Sequence, residues 1–162
     1  MSQKLIAEIK KRWSPQDSRC GRLIQIQRHF SIWHYGVALS DSWGISWGPK
    51  GMAVLHAHGR LKVERMNPNK YRKTRSIVHL QLPRIYENLI ASATAFHRKW
   101  HYDVAGWNCE HWARLITTAK AKSYQIKKTP LKIVGAHHNR DAKKCLSKHR
   151  KLVLLVRQVR NA

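Results

Sequence analysis

An asparagine–cysteine pair at positions 108 and 109 places a candidate nucleophile where a helix is expected to begin. Asn108 is a favourable N-cap residue and an apolar-periodic run follows it, so Cys109 should be the first helical residue. The backbone N–H groups and the dipole at a helix start stabilise an anion, which lowers the pKa of a thiol. The position therefore predicts a reactive thiolate, although a cysteine also serves as a small buried apolar residue.

A nucleophilic cysteine needs a proton acceptor, and histidine is the usual one. His34 lies far upstream, in an aromatic and β-branched stretch that predicts a strand over 32–39. His56 would fix the tautomer of His34, and His58, on the same strand face, is the fallback for that role. The backbone N–H of Cys109 is the expected donor to an oxyanion.

The other polar residues near the cysteine have simpler expected roles. His111 should cap the helix or pack beside the site without reacting, and Asn108 should act as the cap. One group of candidate metal ligands occurs near the end of the chain: His137, His138, Cys145 and His149. Their spacing fits no zinc pattern, and the chain has no Gly-rich phosphate loop. We therefore predict neither a metal nor a cofactor.

Hydrophobic periodicity predicts the elements that position these residues. Helices are expected over 3–13, 84–99 and 109–119, and strands over about 22–28, 32–39, 52–58, 61–66 and 76–80. Turns or loops are expected at 28–31, 40–51, 67–75 and 100–107. Beyond residue 120 the pattern weakens, with a short strand at 131–134 and a basic amphipathic helix at 141–160.

The chain of 162 residues carries a net charge of +24, from 32 Lys and Arg against 8 Asp and Glu. Residues 119–162 contain 13 of the basic residues and one acidic residue, so this short segment has half of the net charge. Such a charge attracts nucleic acid or an anionic membrane surface, or else serves solubility or assembly with an acidic protein. Apolar residues make up 43% of the chain, which is enough for a core.

The cysteines and the chain start indicate a compartment. Cys20, Cys109 and Cys145 are an odd, scattered set, which does not indicate a disulfide framework. Residues 1–8 contain no signal-peptide core, and no apolar run is long enough for a transmembrane segment. We expect a cytoplasmic protein, with peripheral membrane association as an option.

Four stretches in order carry a family resemblance: residues 21–26, 34–39 (HYGVAL), 54–56 and 108–112, which begins with NCEH. Together they resemble the lecithin–retinol acyltransferase-like (LRAT-like, NC-domain) family of the NlpC-type permuted papain-like superfamily. The resemblance covers about residues 20–118, and NCEH is its most specific piece.

The resemblance implies an α+β, circularly permuted papain-like domain, with an antiparallel sheet packed against helices. A helical segment at 1–19 would precede this domain at 20–118, and a basic extension at 119–162 would follow it. The implied activity is thiol acyl transfer or hydrolysis of an ester or amide, with a phospholipid as one candidate substrate. Cys109 would be the nucleophile, His34 the base and His56 the second histidine.

The chain departs from the family pattern in two places. The segment between His34 and His56 is longer than the usual short hairpin and contains Trp43 and Trp47, and Trp112 stands where the family has phenylalanine. An alternative from another class is a non-catalytic basic binding protein on the same fold, with nucleic acid or an acidic protein as its partner. The enzyme is the favoured interpretation, and it requires Cys109 to lie within reach of His34.

Overall fold

The computed structural model describes residues 2–29, 32–49, 57–66, 72–73, 79–95, 101–102 and 108–124. In chain order the elements are α1 (Ser2–Arg12), β1 (Leu23–His29), β2 (Ile32–Ala38), β3 (Trp43–Pro49), β4 (Ala57–Arg65), β5 (Arg72–Lys73), α2 (Leu82–Ala95), β6 (His101–Tyr102) and α3 (Cys109–Thr118).

An antiparallel sheet forms the centre of this α+β structure. The strand order is β5-β1-β2-β3-β4-β6, in which the four longer strands β1–β4 are consecutive neighbours and two-residue strands lie at the edges. Every pair of neighbouring strands is antiparallel. The α+β class and the antiparallel sheet packed on helices are thus confirmed.

The main core lies between the sheet and the helices. Period-two alternation places the large apolar side chains of β1, β2 and β3 on one face of the sheet. Buried strand residues in this cluster are Leu23, Tyr35, Val37, Ile45 and Trp47, and Leu39 directly after β2 joins them. Buried helical residues in it include Ile9, Ile85, Leu89, Trp112, Leu115 and Ile116. A smaller buried cluster on the other face contains Ile24, Ala38 and Met66.

The main error of the sequence prediction is the loop expected over 40–51, because β3 occupies Trp43–Pro49. Trp43, Ile45 and Trp47 alternate with small residues, and the strand is paired on both sides, with β2 and with β4. The glycines and serines that indicated a loop lie instead at the alternate strand positions. As a result, β2 and β4 are separated by a full strand.

Other boundaries differ by smaller amounts. The two strands predicted over 52–58 and 61–66 merge into β4 from Ala57 onward, and residues 51–56 lie outside the described part. Arg28 and His29, expected in a turn over 28–31, are the last residues of β1, and β2 starts at Ile32. Residues expected in loops form the edge strands β5 and β6, because they pair with β1 and β4 respectively.

The helices agree well with the periodicity that predicted them. Helix α1 and helix α3 match their predictions, while α2 starts at Leu82, two residues early, with Pro83 in its first turn. The strand predicted at 76–80 is not formed at His79 and Leu80, where the Leu80 N–H instead donates to the Thr117 carbonyl. Residues 96–100, 103–107 and 125–162, with the predicted elements and the histidine cluster there, lie outside the described part.

Candidate active site

Helix α3 begins with a reciprocal cap. The Asn108 side-chain oxygen accepts the N–H of Glu110 at 2.9 Å and the N–H of His111 at 3.2 Å. The Asn108 N–H donates to Nδ1 of His111 at 3.1 Å, which completes a capping box. The predictions that Asn108 caps the helix, that Cys109 is its first residue and that His111 has a capping role are therefore confirmed.

The thiol of Cys109 contacts strand β2 directly. The Tyr35 N–H donates to the Cys109 sulfur at 3.4 Å, and the cysteine is only 2% exposed. Amide donors to sulfur favour the thiolate over the thiol because the anion is the better acceptor. The sulfur of Cys109 is thus held by a backbone group of the strand that also carries His34.

The pairing of strand β2 with both of its neighbours is irregular at this point. A register shift on β1, between Gln25 and Gln27, falls opposite the peptide that joins His34 to Tyr35. On the other side, the described ladder with β3 stops at the Gly36–Ser46 pair, although both strands continue. Bulges beside active sites commonly redirect a side chain. Here the disruption coincides with the contact between Tyr35 and the thiol.

His34 lies next to this contact along the chain. The Tyr35 nitrogen is two covalent bonds from the His34 Cα, and the Cys109 sulfur lies 3.4 Å from that nitrogen. The sulfur is therefore within about 6 Å of the His34 Cα. The imidazole lies against Gly48 of β3, where an added Cβ would be 3.3 Å from the ring Cε1. Gly48 therefore leaves the space that the His34 ring occupies.

The orienting group for His34 stays a prediction. His56 lies outside the described residues, and the side chain of His58 does as well, although its backbone pairs with His101 in β4 and β6. Strand β3, the neighbour of β2, contains no histidine. Because β3 separates β2 from β4, a histidine of β4 would have to reach His34 across β3.

A buried charge network at the start of α3 was not expected from the sequence. Glu110 is fully buried, and its carboxylate accepts from Nε of Arg114 at 2.8 Å and from the Ser123 hydroxyl at 2.7 Å. The Asn108 amide donates to the same hydroxyl at 3.3 Å. The network thus ties the first turn of α3 to the chain that follows the helix. The i,i+4 spacing of Glu110 and Arg114 was a usable signal, whereas nothing in the sequence pointed to Ser123.

The side chain of Tyr35 extends this network. Its hydroxyl accepts from the Gln25 amide at 2.8 Å, and the Arg114 guanidinium lies 5.8 Å from its ring centre and 4.6 Å from that of Tyr124. Burial, and next the Glu110 carboxylate, raise the pKa of Tyr35. The phenol therefore stays neutral at physiological pH and does not supply a proton acceptor to the site.

Within the described residues, no group of three or more His, Cys, Asp and Glu is placed to hold a metal ion, and no helix is long and apolar enough to cross a bilayer. Comparison of the chain with models of known protein families and with curated proteins found no match. The function proposed below is therefore inferred from the geometry around Cys109 and from the family resemblance of the sequence.

Gly48 offers a test of the space that His34 needs. We expect Gly48→Ala to displace the ring and slow alkylation of Cys109 by roughly tenfold, because small misplacements of catalytic groups have large rate effects. The matched control is Gly44→Ala, whose Cβ would meet Ile24 and Met66 instead of the histidine. Alkylation kinetics of the two variants, resolved by peptide mass spectrometry, check this. Equal slowing in both would show that the effect is general overpacking.

Cys20 offers a test of pH dependence away from the site. Burial raises the pKa of this thiol to about 11, against about 8.5 in an unfolded chain. Between these values the folded state keeps a proton that the unfolded state loses, so the free energy of unfolding falls as pH rises. We expect the stability difference between wild type and Cys20→Ala to shrink from pH 8.5 to 11 in urea titrations. A constant difference would contradict the assignment.

Proposed function

We propose that this chain is a cysteine-dependent acyltransferase or hydrolase that acts on an ester or amide through a thioester on Cys109. The observation that carries the proposal is the Tyr35 N–H at 3.4 Å from the Cys109 sulfur, since it holds the thiol at the first turn of α3 beside His34. The α+β sheet packed on helices is compatible with the finer proposal of a permuted papain-like, LRAT-like domain at about 20–118.

The proposed reaction has two balanced steps. His34 takes the thiol proton, the sulfur attacks the substrate carbonyl, and the carbonyl oxygen becomes an oxyanion near the N–H of Cys109. The carbonyl then re-forms as the carbon–oxygen or carbon–nitrogen bond breaks, and His34 returns its proton to the leaving group. Water, an alcohol or an amine next attacks the thioester, loses a proton to His34 and releases the acyl product with the thiolate restored.

The local environment supports a thiolate over a buried structural cysteine. A helix start and a backbone N–H donor both favour a thiolate and both are present at Cys109, and the imidazole of His34 is the proposed third feature. Cys20 provides the contrast, because it is also buried and burial raises its pKa to about 11. Both cysteines are buried and both accept a backbone N–H, so the difference between them is that only Cys109 lies at a helix start.

The proposal is tested by trapping the acyl-enzyme. The full chain is incubated with a p-nitrophenyl acyl ester, and the acylated peptide is identified by mass spectrometry. We expect one acyl group on Cys109 that neutral hydroxylamine releases, as it does a thioester. Acylation found only on lysines, or equally on Cys20, would overturn the proposal. A phospholipid remains the candidate natural substrate, and anionic membranes the candidate surface.

The second candidate function is a non-catalytic binding protein, and the exposed cations favour it. Within the described residues the exposed basic side chains without an ion pair are Lys4, Lys10, Lys11, Arg22, Arg60, Arg65, Arg84, Lys120 and Lys122. Nucleic acid, or an acidic protein, is the class of partner that such a surface attracts. Salt-dependent binding of a DNA duplex, unchanged by Cys109→Ala and without acyl-enzyme formation, would support this candidate instead.

A further inference from the structure

Arg60 lies in the same cross-strand row as Gly48 and the imidazole of His34. Gly48 pairs directly with Arg60, and residues that face each other in an antiparallel pair point to the same side of the sheet, with Cβ atoms about 5 Å apart. A Cβ at Gly48 would lie 3.3 Å from the His34 ring. The arginine and the imidazole therefore share one face of the sheet, and β3 places no side chain between them.

This row reaches solvent at Arg60. Cys109 is buried, while His34 and Gly48 are half-buried and Arg60 is exposed. In the next row along the same face Gly36 and Ser46 are buried, while Lys62, which pairs with Ser46, is exposed. Arg60 is therefore the exposed side chain of the row that contains Gly48.

Arg60 supplies the uncompensated positive charge of this row among the described residues. Lys62, two residues further along the same face of β4, pairs with Glu64 at 3.0 Å, which compensates its charge. Arg60 forms no ion pair within the described residues. A guanidinium in that position offers a forked set of donors that match a phosphate or a carboxylate.

We propose that Arg60 binds an anionic group, a phosphate or a carboxylate, on the acyl-bearing substrate of Cys109. The inference rests on the proposed function of Cys109 and His34. Two strand spacings, about 9.5 Å in total, separate β4 from β2, and the arginine side chain spans part of that distance. The anion would therefore lie a few bonds from the scissile carbonyl, as in a phosphate-bearing ester such as a phospholipid.

Two alkylating reagents that differ in charge test the proposal. Iodoacetate and iodoacetamide both react as the Cys109 sulfur displaces iodide, but only iodoacetate is anionic. At about 6 Å in water a unit charge changes the rate about threefold. We expect the ratio of iodoacetate to iodoacetamide rates at Cys109 to fall about threefold in Arg60→Gln and about tenfold in Arg60→Glu. The difference should shrink as ionic strength rises.

Two control variants on the same strand separate a local site from net charge. Lys62→Gln removes a compensated cation on the same face, and Arg65→Gln removes an exposed cation from the opposite face. Both should keep the wild-type ratio. An unchanged ratio in the Arg60 variants, or an equal fall in the controls, would overturn the proposal. A Cys109 that reacts with iodoacetamide no faster than an ordinary thiol would instead overturn the proposed function, and this inference with it.

Protection experiments identify the source of the anion. Inorganic phosphate and vesicles of phosphatidylglycerol are each tested for slowing of iodoacetate labelling at Cys109, in wild type and in Arg60→Gln. If inorganic phosphate protects Cys109 in wild type but not in Arg60→Gln, a soluble phosphate is sufficient for binding at Arg60. If only the vesicles protect Cys109 in this Arg60-dependent way, the bound anion is a lipid headgroup. Protection by neither, or protection that Arg60→Gln leaves intact, would count against the site.

Discussion

We expect alanine in place of Cys109 to abolish the proposed acyl transfer, with a loss on the order of 10⁴-fold or more, because removal of a nucleophile leaves only binding and oxyanion stabilisation. The fold should survive the change, since alanine suits a first helical turn. The Tyr35 N–H would lose its acceptor in a buried position, which costs about 1–3 kcal/mol. Turnover of a p-nitrophenyl ester and urea unfolding measure the two effects separately.

Cys109→Ser is the matched variant for this prediction. Its hydroxyl oxygen is an acceptor for the Tyr35 N–H, so it should keep more stability than the alanine variant, but it is a far weaker nucleophile beside histidine. Both variants should therefore be inactive, and only the alanine variant should be clearly less stable. Residual turnover above about a tenth of wild type in either variant would show that the reaction does not pass through this thiol.

Glu110→Ala will have the largest effect on stability. The change leaves the mostly buried Arg114 without its carboxylate and removes the acceptor of Ser123. Breaking a buried ion pair by removing one partner costs about 3–5 kcal/mol. We expect a loss of that size in the free energy of unfolding, measured by urea titration at pH 7. Glu110→Gln should lose less, since the amide oxygen still accepts one hydrogen bond.

The matched control for Glu110 is Glu64→Ala. Glu64 pairs with Lys62 at 3.0 Å, but 29% of its side chain and 58% of the lysine side chain are exposed. Solvent-exposed pairs contribute about 0–1 kcal/mol, so this variant should be close to wild type. Similar losses in the two variants would contradict the account of the buried network at the start of α3.

The sequence predicted the start of α3 well because the signals there are local. An N-cap asparagine, a cysteine and an apolar stripe act within one or two turns, and the structure places Asn108 and Cys109 as expected. Strand β3 was not predicted because glycine and serine at every second position lower the local β propensity. Trp43, Ile45 and Trp47 become a strand only through pairing with β2 and β4.

The contacts that join the site across the chain were beyond the reach of local signals. Cys109 and Tyr35 are 74 residues apart, and their hydrogen bond lies where a register shift in β1 and the end of the β2–β3 ladder coincide. The bond of Ser123 to Glu110 depends on how the chain turns after α3. Such contacts follow from packing of the whole domain, which no spacing of residue types encodes.

The most direct test is the pH dependence of Cys109 alkylation by iodoacetamide in wild type and in His34→Ala. Cys20, with its pKa raised by burial to about 11, is an internal control that should react only at high pH. We predict that Cys109 reacts with an apparent pKa well below about 8.5, and that this pKa rises toward the ordinary thiol value when the imidazole is removed. An alkylation profile of Cys109 that follows an ordinary thiol, or that His34→Ala leaves unchanged, would contradict the thiol–imidazole pair.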